Sequence, residues 1–125
     1  MRVISKSAIR DFVDGRTNDR DIADRDLNAW YKLAKHVVWA NFGEMKQTFG
    51  SADIVGRCVV FDVGNNRFRL IARVFYESQK MYILKVMDHR EYDKKRWVKE
   101  CKCHDPKPPR KPDKKSPAQR KPGGR

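Results

Sequence analysis

The sequence has no proline before position 106 and no aromatic residue after position 97. All six prolines lie between Pro106 and Pro122, and all thirteen aromatic residues lie between Phe12 and Trp97. Core-forming material is therefore confined to the first part of the chain, which is long enough for one domain. We expect a single domain over residues 1–100, followed by a disordered, Pro/Lys-rich basic tail over residues 101–125.

Long apolar runs are also lacking, and cysteine is scarce. No segment approaches the roughly 18 apolar residues of a membrane span, and "MRVISKSAIRDF" lacks the apolar centre of a signal peptide. The three cysteines, Cys58, Cys101 and Cys103, form no recognisable disulfide framework, so we expect free thiols in a cytoplasmic protein. "CKCH" resembles half of a zinc site, but no second cysteine pair completes it. No metal or cofactor is predicted.

Positive charge, by contrast, is abundant. Lys and Arg number 29 against 16 Asp and Glu, which gives a net charge of +13. The excess occurs in both parts of the chain, with 20 basic against 14 acidic residues before position 101 and 9 against 2 after it. Such an excess favours a polyanionic partner, of which nucleic acid is the commonest.

The N-terminal half predicts a short strand over residues 1–5 followed by three helices. The first helix is expected to be capped by Ser5 or Ser7 and to stop at Gly15. Residues 16–26 are almost all polar and fit a loop or the entry to the second helix. That helix is predicted from apolar residues three and four apart: Leu27, Trp30, Tyr31, Ala34, Val37 and Val38. A third helix is expected in "NFGEMKQTFG".

The next segments predict an antiparallel meander of three strands. "CVVFDV" and "RFRLIARVFY" flank the turn signal "GNN", and "ESQ" leads into "KMYILKVM". Helices followed by such a meander give an α+β domain with its N-terminal helices on one face of the sheet. In the middle strand, alternation puts Arg67, Arg69, Ile71, Arg73 and Phe75 on one face. That face suits single-stranded RNA, although a merely solvated face fits equally well.

The end of the last strand carries a helix signal together with two chemically versatile side chains. In "DHRE", Asp88 is placed to cap a short C-terminal helix, with Glu91 three residues later. His89 and Tyr92 would then lie on one side of its first turn. His36 is the other histidine of the predicted domain, and a structural or surface role is expected for it.

Several motifs in this order resemble the HigB family of toxins, which belongs to the RelE-like messenger-RNA endonucleases. The hairpin has the family form F-x-x-G-x-N-x-x-R, and the last strand is followed by the closing motif H-x-E-Y-D-K. The helical half is similar in "AWYKLAKHVVWANFGEMKQTFGSADIVG". Asp88 replaces the usual Thr, Asn65 replaces the usual second Gly, and the basic tail is not part of the family pattern. Asn tolerates positive φ, so the turn should survive.

The resemblance implies a toxin that cleaves messenger RNA in the ribosomal A site and is neutralised by a HigA-like helix-turn-helix antitoxin. Metal-independent cleavage needs a base for the 2′-OH, an acid for the leaving oxygen and cations for the phosphate. Cleavage of this kind yields 2′,3′-cyclic phosphate ends. The candidates are His89 as acid or base, Tyr92 as stacking platform or proton donor, and Arg69 and Arg73 as phosphate clamps. Further RNA contacts are expected from four basic residues: Arg67, Lys85, Lys94 and Lys95.

Two alternatives stay open at this point. Asp88 could be occupied as a helix cap, or it could act on the neighbouring imidazole and favour its protonated form. The whole chain could instead be a non-catalytic module that binds RNA or DNA through its basic residues.

Overall fold

A computed structural model describes residues 1–104 of the chain. The predicted tail lies, from residue 105 onward, outside the described residues. Over residues 1–104 the chain forms, in order, β1 (Arg2–Ile4), α1 (Ser7–Asp14), α2 (Arg20–His36), α3 (Phe42–Thr48), β2 (Asp53–Val55), β3 (Cys58–Val63), β4 (Phe68–Phe75), β5 (Lys80–Asp88), α4 (His89–Asp93) and α5 (Arg96–Glu100).

The strands form one sheet in the order β1-β5-β4-β3-β2. The predicted meander of β3, β4 and β5 is confirmed, and its three strands pair antiparallel. Two short edge strands extend it: β1, which was predicted, pairs parallel with β5, and β2, which was not, pairs antiparallel with β3. The sheet is therefore mixed rather than purely antiparallel, and the α+β class is confirmed. In the β3–β4 turn Gly64, Asn65 and Asn66 all have positive φ, as expected for Asn65.

The three N-terminal helices are present, but their beginnings differ from the prediction. Ser5 has a φ of 73° and Lys6 occupies the N-cap of α1 without a side-chain bond, so the predicted serine cap is wrong. Helix α2 already begins at Arg20, because Ala23 within the polar stretch is fully buried and continues the apolar stripe of Leu27. No helix among residues 1–104 is both long and apolar enough to cross a membrane.

Apolar clusters lie on both faces of the sheet. On the first face the N-terminal helices pack on β4, whose Phe68, Leu70 and Ala72 are fully buried. On the second face α5 and the residues after it cover Ile71, with Trp97 as the largest side chain. All three tryptophans belong to the core, as predicted, since Trp30, Trp39 and Trp97 are each at most 5% exposed. The second cluster covers the middle of that face, so a ligand can reach only the parts of the face beyond it.

The cysteines depart from the prediction. Cys58 on β3 is bonded to Cys103, with Cα atoms 5.2 Å apart, whereas Cys101 is free and buried. The expectation of three free thiols is thus wrong for two of them, because the chain after α5 folds back onto β3. There the amide of Arg57 donates to the carbonyl of Cys103 at 2.7 Å. The boundary after residue 100 stays a prediction, but packed residues continue beyond it to fully buried Cys103.

Candidate active site

The junction of β5 and α4 is built around the carboxylate of Asp88. One oxygen accepts from the backbone N–H of Glu91 at 2.8 Å, which confirms the predicted helix cap. The other accepts from Nη1 of Arg16 at 3.0 Å. These two interactions, with the Glu91 N–H first, hold the pKa of Asp88 below its ordinary value despite partial burial. Asp88 is therefore engaged by the helix and by Arg16 from the α1–α2 loop.

His89 opens α4 and presents its imidazole to solvent. Its side chain is 54% exposed, and Nε2 lies 3.6 Å from a carboxylate oxygen of Asp93. Its backbone N–H donates to the carbonyl of Arg67 at 3.1 Å, which attaches the start of α4 to the start of β4. The acidic group beside the imidazole nitrogen is therefore Asp93, one helical turn later, and the imidazole stays accessible from solvent.

Tyr92 follows three residues later and is packed, not free. Its ring stacks on Trp97 with centroids 5.2 Å apart and planes 13° from parallel. The guanidinium carbon of Arg69 lies 4.8 Å from the centroid of the same ring. Arg69 is in turn held by Asp62 at 3.1 Å and by Asn66 at 2.9 Å, and its side chain is only 11% exposed. The β3–β4 hairpin thus fixes Arg69, and Arg69 and Trp97 together fix the Tyr92 ring.

The other predicted basic residues are spread along the sheet and mostly have acceptors within the protein. Nη2 of Arg73 donates to the carbonyls of Cys101 and Lys102 at 3.2 and 3.4 Å. Arg73 lies four residues beyond Arg69 on β4, which places it roughly 13 Å away along the strand. The structure brings Arg69 into contact with Tyr92, which lies three residues after His89 on α4, whereas it places Arg73 farther along the strand.

Three of the four predicted RNA contacts are paired with carboxylates. Nη1 of Arg67 donates to Gly64 O at 2.8 Å and lies 3.4 Å from Asp26, and Lys85 forms an ion pair with Glu100. Nζ of Lys94 lies 3.8 Å from Glu91, where it competes with Arg96 for that carboxylate at 2.9 Å. Lys95 has a positive φ and an exposed side chain at the turn between α4 and α5. The exposed ammonium groups nearest to His89 in sequence are those of Lys94 and Lys95.

A continuous open basic sheet face, as expected from the alternation of β4, is not observed. Arg69, Ile71, Arg73 and Phe75 do share one face, but Ile71 is fully buried beneath the second apolar cluster. The cause is α5, whose Trp97 docks on the middle of that face.

Sequence reasoning also missed several partners of the site. Asp93 could have been found, because it lies one helical turn after His89. Arg16 comes from the distant α1–α2 loop, and no local pattern connects it with Asp88. Asp62 lies on β3 directly opposite Arg69, so the register of the predicted hairpin could have indicated this partner.

Comparison with known proteins identifies the family. A family model described as HigB_toxin, RelE-like toxic component of a toxin-antitoxin system, matches residues 23–95, which is more than half of the chain. The chain belongs to the HigB toxin family. The match includes every predicted site residue, whereas Arg16 and Trp97 lie outside it.

Curated HigB proteins show the same relationship. The chain is 48% identical over 52 residues to the "mRNA interferase toxin HigB" of Escherichia coli, covering 39% of this chain and 50% of that protein. The figures are the same for the "mRNA interferase HigB" of Shigella flexneri. A HigB of another Escherichia coli strain is 27% identical over 97 residues, covering 75% of this chain and 90% of that protein. The chain thus spans about half the length of the first two relatives.

Proposed function

We propose that this HigB family member is an endoribonuclease that cleaves messenger RNA, with His89 transferring a proton in the reaction. The observation that carries the proposal is the exposed imidazole at the start of α4, within the segment that matches the family. Relatives of the chain bear the name mRNA interferase, which supports RNA as the substrate. The excess of basic residues supports the same class of substrate.

The proposed reaction needs only side chains. The 2′-oxygen attacks the adjacent phosphorus while a base removes its proton, and the P–O5′ bond breaks as an acid protonates the departing oxygen. The products are a 2′,3′-cyclic phosphate and a 5′-OH. Because the 2′-oxygen is the nucleophile, the proposed step needs no metal-activated water. His89 is assigned one of these two proton transfers, a role that suits imidazole near neutral pH. Tyr92 is the candidate for the second transfer or for stacking.

The basic side chains of the site fall into two groups, those free to reach a phosphate and those already bonded within the protein. Exposed Lys94 and Lys95 can do so without giving up a strong internal bond, and we assign them the first contacts with the RNA backbone. Arg69 and Arg73 would have to leave Asp62 and the carbonyl of Cys101 before acting as phosphate clamps. Because Arg69 contacts the Tyr92 ring, we assign it the positioning of Tyr92.

Positioning by the ribosome would complete so sparse a site. We propose that the message is cleaved in the ribosomal A site, because holding substrate and catalyst in register can supply much of the rate that the few side chains do not. We further propose a helix-turn-helix antitoxin as the neutralising partner. A cytoplasmic location follows from this proposal, since translated messages are found there.

His89→Ala tests the proposal, with His36→Ala as the matched control, because His36 is also exposed and lies at the far end of α2. Each full-length variant is added to a translation mixture with a defined message, and 2′,3′-cyclic ends are mapped with and without ribosomes. We expect His89→Ala to lose at least about 100-fold in rate, as is typical for a missing acid or base, and His36→Ala to cleave normally.

Equal cleavage by wild type and His89→Ala would remove His89 from the chemistry. If the wild type yields no cyclic ends but binds RNA with steep salt dependence, the chain is a binding module instead. Cleavage of free RNA at the same rate would exclude the ribosomal step.

A further inference from the structure

A shallow depression lies on the second face of the sheet, beyond the part that α5 covers. It is lined by Arg73, Phe75, Ser78, Lys80, Tyr82 and Leu84. Phe75 is six residues from Arg69 on β4, so the depression is roughly 20 Å from the candidate active site along the strand. Arg73 and Phe75 belong to the sheet face that the sequence predicted to suit single-stranded RNA, whereas the other lining residues have no role in the family resemblance or in the proposed chemistry.

The depression contains aromatic rings that are open to solvent. Phe75 is 45% exposed and Leu84 is 39% exposed, although both lie on central strands of the sheet. The rings of Phe75 and Tyr82 are 5.6 Å apart with planes at 87°, so they form a corner rather than a closed stack. Neighbouring exposed apolar groups of this kind mark a binding surface more often than an isolated exposed side chain does.

The pairing of the strands shows which charges surround the rings. Phe75 is opposite Lys80, which pairs in turn with Arg2 on β1. The next row on the same face contains Arg73 and Tyr82. Directly paired residues of neighbouring strands share a face, so three cations adjoin the two rings. No carboxylate is among the residues that line the depression or occupy these rows within the described part of the chain.

We propose that this surface, the Phe75–Tyr82 platform, binds an unpaired segment of RNA by stacking bases on the two rings. Lys80 and Arg2 contact the adjoining phosphates, while Arg73 stays bonded to the carbonyl of Cys101. The proposal rests on RNA being the substrate, and it concerns nucleotides away from the cleaved bond. An all-cationic border with a ring corner fits phosphates and flat bases, whereas an apolar peptide would require no such border.

Binding is measured by fluorescence anisotropy of a labelled, unstructured RNA of about 20 nucleotides. All proteins are full-length and carry His89→Ala, which prevents cleavage during the measurement. Phe75→Leu and Tyr82→Leu remove the aromatic face and retain apolar bulk. Leu33→Ala is the control, because Leu33 is 43% exposed on α2, on the helical side of the sheet.

We expect the Kd to rise about tenfold for each ring replaced, within the range seen for lost base stacking, and to be unchanged in Leu33→Ala. Phe75→Tyr should bind like the parent because it restores a ring. In the background with His89 intact, Phe75→Leu should raise KM and leave kcat unchanged. Thermal unfolding of each variant verifies that the fold is retained.

An unchanged Kd in a protein that carries both Phe75→Leu and Tyr82→Leu would overturn the proposal, even if the wild type cleaves RNA. Failure of the wild type to cleave, with a ring-dependent Kd, would overturn the proposed catalysis and leave the platform intact. If the Leu variants bind RNA normally but fail to bind a purified antitoxin, the platform is a protein interface and not an RNA surface.

Discussion

At the scale of single residues, Arg16 connects the helical half of the domain to the candidate active site. Its Nε and Nη2 hold both oxygens of Asp19 at 2.8 and 2.9 Å, and its Nη1 holds Asp88. The Arg16 hydrogen bond is the largest influence that lowers the pKa of Asp19, and it is the second such influence for Asp88. One guanidinium therefore orders both the start of α2 and the start of α4.

Arg16→Met should make the free energy of unfolding less dependent on pH in the acid range. Carboxylates with a lowered pKa stabilise the fold above their ordinary value of 3.8, and this contribution is lost as the pH falls through the lowered value. We expect the variant to lose about 1 kcal/mol at pH 7 and the difference from wild type to shrink below about pH 4. Urea unfolding at several pH values measures this difference in the free energy of unfolding, with Arg10→Met on α1 as control. A constant difference at all pH values would contradict this origin.

Some features of the candidate site could be predicted from neighbouring residues in the sequence, and others could not. The Asp88 cap and the positive φ of Asn65 could be predicted, because each depends on residues within one turn. The hydrogen bond between Arg16 and Asp88 joins residues 72 positions apart, and no sequence pattern predicts it. The exposed His89 and the packed Tyr92 differ for a similar reason, since Trp97 and Arg69 reach Tyr92 from other elements.

At the scale of elements, the least predictable feature is the cover over the second sheet face. The meander was predictable because each strand carries its own alternation of apolar residues. Strand β2 has only three residues, and α5 has five, so neither repeats its period often enough to be recognised. Their positions follow from tertiary contacts, such as the close approach of the Cys103 segment to the β2–β3 turn.

Gly56→Ala should disrupt that approach. Gly56 has a φ of 58°, and a Cβ atom at this position would lie 2.0 Å from the carbonyl oxygen of Cys103. Because backbone must move, we expect a loss of about 2–3 kcal/mol in the free energy of unfolding. Gly50→Ala is the matched control, since its Cβ would meet nothing within 4 Å. Equal unfolding midpoints for the two variants would show that the Cys103 segment is not held against Gly56.

At the scale of the whole molecule, the chain combines a tightly closed domain with a strongly charged extension. The bond between Cys58 and Cys103 closes a loop of 45 residues that includes β4, β5 and both C-terminal helices. Loop closure of this length contributes roughly 4 kcal/mol in the chain-entropy description. The sequence beyond residue 104 adds 8 Lys and Arg against 2 Asp, so more than a quarter of the basic residues lie there.

Two truncations separate these contributions. A chain ending at residue 104 retains both cysteines of the bond and should unfold at the wild-type temperature, whereas one ending at residue 100 should lose at least about 4 kcal/mol. Dithiothreitol should lower the unfolding temperature of the first chain and leave that of the second unchanged. Equal stability of the two chains would place the domain boundary at residue 100.

Both chains lack the 8 basic residues, so we expect the slope of log Kobs for RNA against log salt to become shallower in each. A wild-type slope in the 104-residue chain would show that the basic extension does not contact RNA.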